Sequence, residues 1–208
     1  PGSSTQQDMV DLVAALAGGR PLFAPGPRPT EPEDDLRAAG CDATALITAL
    51  RRGQPGLHRL NAAALAEAQR IAGQLRGLLR LPSVSAAAPV ERRALARAAL
   101  EAVPGLAYLP RDRKRYRVWA NGQEELELGQ ESALPPDSPA AVVLDRHALT
   151  VKGRRTVQLI TCAMPCDLSL LRELELGEWR VSEARWTGKA LEAEAILSYA
   201  GTVLRRVE

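Results

Sequence analysis

Three groups of residues have types and spacings that could do chemistry. The first is a thiol with a base. Cys162 sits in the alternating run Gln158-Leu159-Ile160-Thr161-Cys162, and His147 would lie on a strand beside it. A cysteine nucleophile needs such a base in reach. The other reading of Cys162, mid-strand among apolar residues, is a small core residue. His58, close to Asn61, reads as a loop residue. The second group is Cys162 and Cys166, whose spacing falls in the loose range for zinc ligands. Zinc takes four ligands, and His147 and Cys41 would have to converge from separate regions, so no metal is expected. The third group is basic. Arg111, Arg113, Lys114, Arg115 and Arg117 are interleaved with Tyr108, Tyr116 and Trp119. Alternate strand positions share a face, so Arg113, Arg115 and Arg117 could form a stripe along a phosphate backbone, with Tyr116 as a stacking plane for an unpaired base. The other reading is a solvated turn between two strands with Trp119 in the core. Lys152, Arg154 and Arg155 form a second basic turn.

Nucleotide-hydrolysis chemistry is absent from the sequence. There is no G-x-x-x-x-G-K-[ST] loop and no G-x-G-x-x-G turn, so the chain alone is expected not to be an enzyme and to hold no cofactor.

Composition narrows the partners. A net charge of +2 over 208 residues is too small for a global polyanion footprint. From residue 105 onward, 15 cations balance 15 anions, whereas residues 111–117 hold five cations and one anion, so any footprint is local. Arginines outnumber lysines 24 to 3, so phosphate contacts would be made by guanidinium forks. Three cysteines cannot all pair within one chain, which points to a reducing, cytoplasmic compartment. No apolar run reaches the length of a membrane span, so no membrane partner is expected. Residues 1–5 read as a tag or disordered edge.

The elements that must position these residues change period at Pro104-Gly105. Residues 6–103 read as a helical domain and 104–208 as a β domain. Met9 to Leu16 carries an apolar stripe stopped by Gly18-Gly19. Thr30 to Glu33 has capping-box spacing. Asp42 is expected to cap 43–52 with Gly53 as the stop, and Asn61 to cap 62–81. In the last of these, Leu65, Ala68, Ile71, Ala72, Leu75, Leu78 and Leu79 fall on one face. A further helix runs over 90–103. Then come a strand through Tyr116 to Trp119, an Asn121-Gly122 hairpin turn, and strands over 125–128, 141–144 and 156–161. Asp167 would cap a short helix over 168–174. The tail reads as a hairpin of 179–186 with 191–204, with Gly201 as a bulge and one of Trp179 and Trp186 in the core.

The fold class is therefore α+β: an N-terminal helical bundle, then a small antiparallel β-barrel with a C-terminal helix and β-hairpin extension. Five short strands suit an oligonucleotide-binding barrel. An SH3-like barrel or a twisted open sheet would give the same pattern.

The order of several stretches resembles the region after the motor domains of bacterial DEAH-box ATP-dependent helicases of the HrpB type. They are Met9 to Leu16 with Arg20-Pro21-Leu22, Gly40-Cys41-Asp42-Ala43, Ala66 to Arg76, Arg115 to Gly122, Ala141 to Leu144, Gln158 to Pro165, Glu183 to Trp186, and Tyr199 to Leu204. The resemblance implies a ratchet-like helical domain, an oligonucleotide-binding domain and a terminal extension. It implies single-stranded nucleic acid, RNA foremost, and the parent's motor domains as partners, with ATP and Mg in those motors. The helical part is short for a complete ratchet domain, and no winged-helix stretch precedes it.

Overall fold

The computed structural model describes residues 3–23, 40–53, 60–83, 89–114, 116–151, 155–186 and 188–207, without the side chains of Val151, Arg155 and Leu191. Ser3 opens the first helix, α1 (Ser4–Leu16), its hydroxyl accepting from the Gln6 N–H at 3.2 Å. Ser4 and Thr5 thus lie in α1, with Ser3 as its cap residue. The capping-box segment at Thr30 and the loop residue His58 lie outside the described residues.

Helix α2 (Asp42–Arg52) begins one residue before the expected start. Cys41 is its cap residue, and Gly53 stops it at φ +61°. Asp42 is the first residue of the helix and not its cap residue, and its side chain accepts from Ser132 Oγ at 2.6 Å, Ala133 N at 2.6 Å and Ala163 N at 3.0 Å. Asn61 does cap α3 (Ala62–Leu78), accepting from the N–H groups of Ala63 and Ala64. This helix ends three residues early. Leu65, Ala68 and Ala72 are buried, but Leu78 and Leu79, expected inward, are exposed because the chain is leaving the helix there and Arg80 takes φ +53°. Helix α4 (Arg92–Ala102) buries Leu95, Ala99 and Leu100 as its period predicts.

The three N-terminal helices meet over buried charge. Asp8 and Asp11 of α1 face Arg51 of α2 and Arg76 of α3. Arg51 bonds Asp8 at 2.5 Å and Asp11 at 2.7 Å, while Arg76 forks onto Asp11 and also donates to the Pro82 carbonyl. Each guanidinium is desolvated but multiply bonded, which is the condition under which a buried ion pair is tolerated.

After a single 3-10 turn (Pro104–Leu106) come β1 (Ala107–Asp112), β2 (Arg117–Ala120), β3 (Glu125–Leu128), β4 (Ala140–Val151) and β5 (Arg155–Cys166). They close in the order β1-β2-β3-β5-β4 into a barrel. The barrel is mixed, not antiparallel: β3 and β5 pair in parallel. The 129–139 connection places β4 beside β1, so its hairpin partner β5 returns next to β3 running the same way. The sequence reading missed β1, whose Pro110 and charged end mask its period. Asn121-Gly122 opens a four-residue turn instead of a two-residue one, since Ala120 pairs with Glu125 and the Asn121 side chain accepts from the N–H groups of Gln123 and Glu124. Strands β4 and β5 are far longer than expected. An irregular register between Val143 and Arg146 bends β4, and from Asp145 to Thr150 it is exposed.

Trp119, Leu126, Val143 and Ile160 fill the barrel. A second apolar cluster runs without a break from Leu12, Ile47 and Leu95 to Leu109, Met164 and Leu197, so helices and barrel share one core. Asp42 ties the same junction with hydrogen bonds.

The chain ends with α5 (Leu168–Glu173), β6 (Glu178–Val181), β7 (Arg185–Trp186), β8 (Leu191–Glu192), β9 (Ala195–Tyr199) and β10 (Thr202–Val207). Asp167 precedes α5 but makes no capping bond. Gly201 is in a tight turn with Ala200, both at positive φ; the bulge falls at Leu204. Neither Trp179 nor Trp186 is core: they are 41% and 69% exposed. Val181 pairs with Ala195 and Arg185 with Glu192, so the first strand holds one extra residue between these pairs. Trp179 and Trp186 stand on different strands, β6 and β7, of two separate sheets.

Candidate nucleic-acid interface

The basic run folds back on itself. Asp112 pairs with Arg117, and the Arg113 N–H donates to the Tyr116 carbonyl at 2.8 Å, so residues 113–116 form the turn of the β1–β2 hairpin. A stripe of alternate arginines along one strand therefore does not form, because the run is split between two strands and their turn. Arg115 lies outside the described residues. Trp119 is in the barrel, and Tyr116 is 48% exposed at the hairpin end.

Register decides where each cation goes. Arg111 pairs with Val118 and shares its face, while Ala120 pairs with Glu125 of β3 on that same side. Arg111 Nη1 reaches Glu125 Oε1 at 2.8 Å, and Arg113 reaches the same oxygen at 2.5 Å. The second Arg111 nitrogen donates to the Ala200 carbonyl of the β9–β10 turn at 3.0 Å. Arg117 binds Asp112 at 2.8 Å and donates to the Pro136 carbonyl. Lys114, exposed one residue beyond Arg113, makes no ion pair among the described residues.

Two carboxylates that the sequence reading passed over shape this end of the barrel. The guanidiniums hold Glu125 below the ordinary carboxylate range, the Arg113 hydrogen bond being the larger cause. Glu124 is held low chiefly by the Tyr108 hydroxyl, which donates to it at 2.5 Å, and also by Arg146. Burial pushes the Tyr108 phenol up, and its bond to Glu124 adds to this. The available signal was the Asn121-Gly122 turn: pairing back from it sets Glu125 beside the basic segment.

Counted with these neighbours, five described cations (Arg111, Arg113, Lys114, Arg117 and Arg146) face four carboxylates (Asp112, Glu124, Glu125 and Asp137). The surface is modestly positive, with its unpaired charge and its open aromatic ring both at the turn. Lys152 and Arg154 lie outside the described residues; Arg155 begins β5.

The thiol–base pair is not assembled. Cys162 is buried, and burial, then the nearby Asp42 carboxylate, pushes its thiol up. His147 lies on the exposed length of β4, paired with Leu159. Cys41 is also buried, and burial moves Cys166 up to about 12. Among the described residues no three His, Cys, Asp or Glu side chains are grouped to hold a metal, and no helix is long and apolar enough to cross a membrane. No protein-family model matches the chain, and no curated protein matches it.

Proposed function

We propose that this chain is an accessory nucleic-acid-contacting module that steadies a single strand, RNA foremost, without catalysis of its own. The observation that carries the reading is the β1–β2 turn, where an unpaired Lys114 and a half-exposed Tyr116 stand at the end of a five-stranded barrel. The order β1-β2-β3-β5-β4 suits the oligonucleotide-binding type of Greek-key barrel, which takes nucleic acid on strands 2 and 3 and on the loop between strands 1 and 2. A cation contacts phosphate, and an exposed ring stacks any base, which makes binding tolerant of sequence. Together with the resemblance of the chain to the region after the motors, this supports a cytoplasmic DEAH-type ATP-dependent helicase as the parent. ATP and Mg would then bind the motors, not this chain.

A second reading, a module that docks on protein, has its own observation. Trp179, Val181 and Val207 on the three-stranded sheet of β6, β9 and β10, and Trp186 on the two-stranded sheet of β7 and β8, are all at least 41% exposed.

Fluorescence anisotropy with a short labelled single strand separates the two. Counterion release makes phosphate binding fall steeply with salt, with about 0.7 of slope lost per cation removed. Tyr116→Ala is expected to weaken binding by about 5- to 150-fold, the range for loss of one stacking ring. Lys114→Ala is expected to flatten the salt slope. Absence of binding at about 50 mM salt, or a Lys114→Ala/Tyr116→Ala variant that binds like wild type, removes the nucleic-acid reading.

A further inference from the structure

We infer that Glu125 is a specificity-determining residue of the β1–β2 hairpin: by occupying Arg111 and Arg113 it reserves them for a connected chain of phosphates and withholds them from isolated anions. The inference rests on the nucleic-acid reading of the same hairpin.

The geometry is a graded one. Both guanidiniums converge on a single carboxylate oxygen, at 2.8 and 2.5 Å. Arg111 is held from its other side by the Ala200 carbonyl. The Glu125 backbone is held on β3, opposite Ala120, which keeps its carboxylate within reach of both arginines. Yet Arg111 and Arg113 are 42% and 45% exposed, so they remain reachable from solvent. The groups without such a competitor, Lys114 and Tyr116, lie further out on the same turn.

An anion approaching the arginines must compete with a carboxylate already in place. A lone phosphate does so from bulk solution. A strand first captured by Lys114 and Tyr116 presents its next phosphate at a high effective concentration, and the exchange becomes intramolecular. The carboxylate thereby suppresses the response to single phosphates more than the response to a strand.

The perturbation is Glu125→Gln, which keeps shape and removes charge. Repulsion between like charges about 6 Å apart in a mostly aqueous surrounding corresponds to roughly three- to tenfold in affinity. Glu125→Gln should therefore bind a short labelled single strand about three- to tenfold more tightly at low salt. Two released cations should steepen its salt slope by up to about 1.4. Inorganic phosphate should also displace the strand from this variant at lower concentration than from wild type. Arg113→Gln in the wild-type background, where Glu125 offsets part of the charge of the two guanidiniums, should weaken strand binding less than Lys114→Ala does.

Circular dichroism establishes that each variant is folded. Wild type binding the strand while Glu125→Gln binds it equally or more weakly overturns the inference and leaves the nucleic-acid reading standing. Failure of both proteins to bind the strand overturns both. Should Glu125→Gln not fold, Arg113→Gln decides: a loss as large as that of Lys114→Ala overturns the inference, and a smaller loss supports it.

Discussion

Replacing Asp42 by alanine tests whether helices and barrel are one folding unit. Its carboxylate is 5% exposed and accepts from three donors on the barrel side: Ser132 Oγ, Ala133 N and Ala163 N. Hydrogen bonds to a charged group contribute about 1.5–3 kcal/mol each, and a buried donor left unmade costs about 1–3 kcal/mol. The three share one acceptor group, so their losses do not add. The expected destabilisation is about 3–5 kcal/mol, a large part of the 5–15 kcal/mol typical of a folded domain. Asparagine should not rescue it. One of its two positions becomes an NH2 facing Ala133 N or Ala163 N, which sets donor against donor. The assay is urea unfolding followed by far-ultraviolet circular dichroism, which reports the helices, and by tryptophan fluorescence, in which the buried Trp119 reports the barrel. In wild type the two transitions should coincide, because one apolar cluster crosses the junction. A Asp42→Ala variant destabilised by less than about 1 kcal/mol, or separate wild-type transitions, would refute the argument that the junction is integral.

Arg76→Ala should cost about 1–3 kcal/mol in urea unfolding, because it removes the Arg76 hydrogen bonds to the buried Asp11 carboxylate while Arg51 still holds that carboxylate at 2.7 Å. Trp119→Ala should cost about 3–5 kcal/mol, whereas Trp186→Ser, at a side chain 69% exposed, should stay within about 0.5 kcal/mol. The folded state holds Glu124 and Glu125 below their ordinary carboxylate values, so their stabilisation is present above that range and fades as pH falls through the lowered values. A Glu124→Gln/Glu125→Gln variant should accordingly show a flatter decline of the urea midpoint between about pH 6 and about pH 3 than wild type. An unchanged acid limb would show that neither carboxylate is held low in the folded state.

The helical half was legible where caps and periods agree. Asn61 and Gly53 do what their types predict, and Leu95 and Leu100 point inward. The failures have a common cause: local chemistry that a tertiary partner outbid. Asp42 has the right type for a cap, but it is the first residue of the helix and its side chain accepts from three donors on the barrel. Asp8 and Asp11 sit on a helix with ordinary amphipathic composition, and only the approach of Arg51 and Arg76, 40 or more positions away, makes them a buried network. The terminal tryptophans illustrate the limit of period counting. Seven positions apart, they fall on opposite faces of a regular strand, but the strand breaks between them and they stand on β6 and β7 of two separate sheets.

The candidate interface shows the same limit in electrostatics. A run of five cations and one anion in seven residues reads as a strong footprint. Folding brings Glu125 to it from β3, and sends Arg117 to Asp112 and Pro136. Exposed ion pairs of this kind are individually weak, about 0–1 kcal/mol, so they cannot explain why the hairpin folds. What they do is set how much charge each cation has left for a ligand. Arg111 and Arg113 share one carboxylate, while Lys114 shares none among the described residues. The residue that counts least in a tally of arginines is thus the one with its full charge on offer. A binding experiment that removes Arg113 or Arg117 first would therefore underestimate the surface. Removal of Lys114 and Tyr116 probes the part of the hairpin that the fold leaves open.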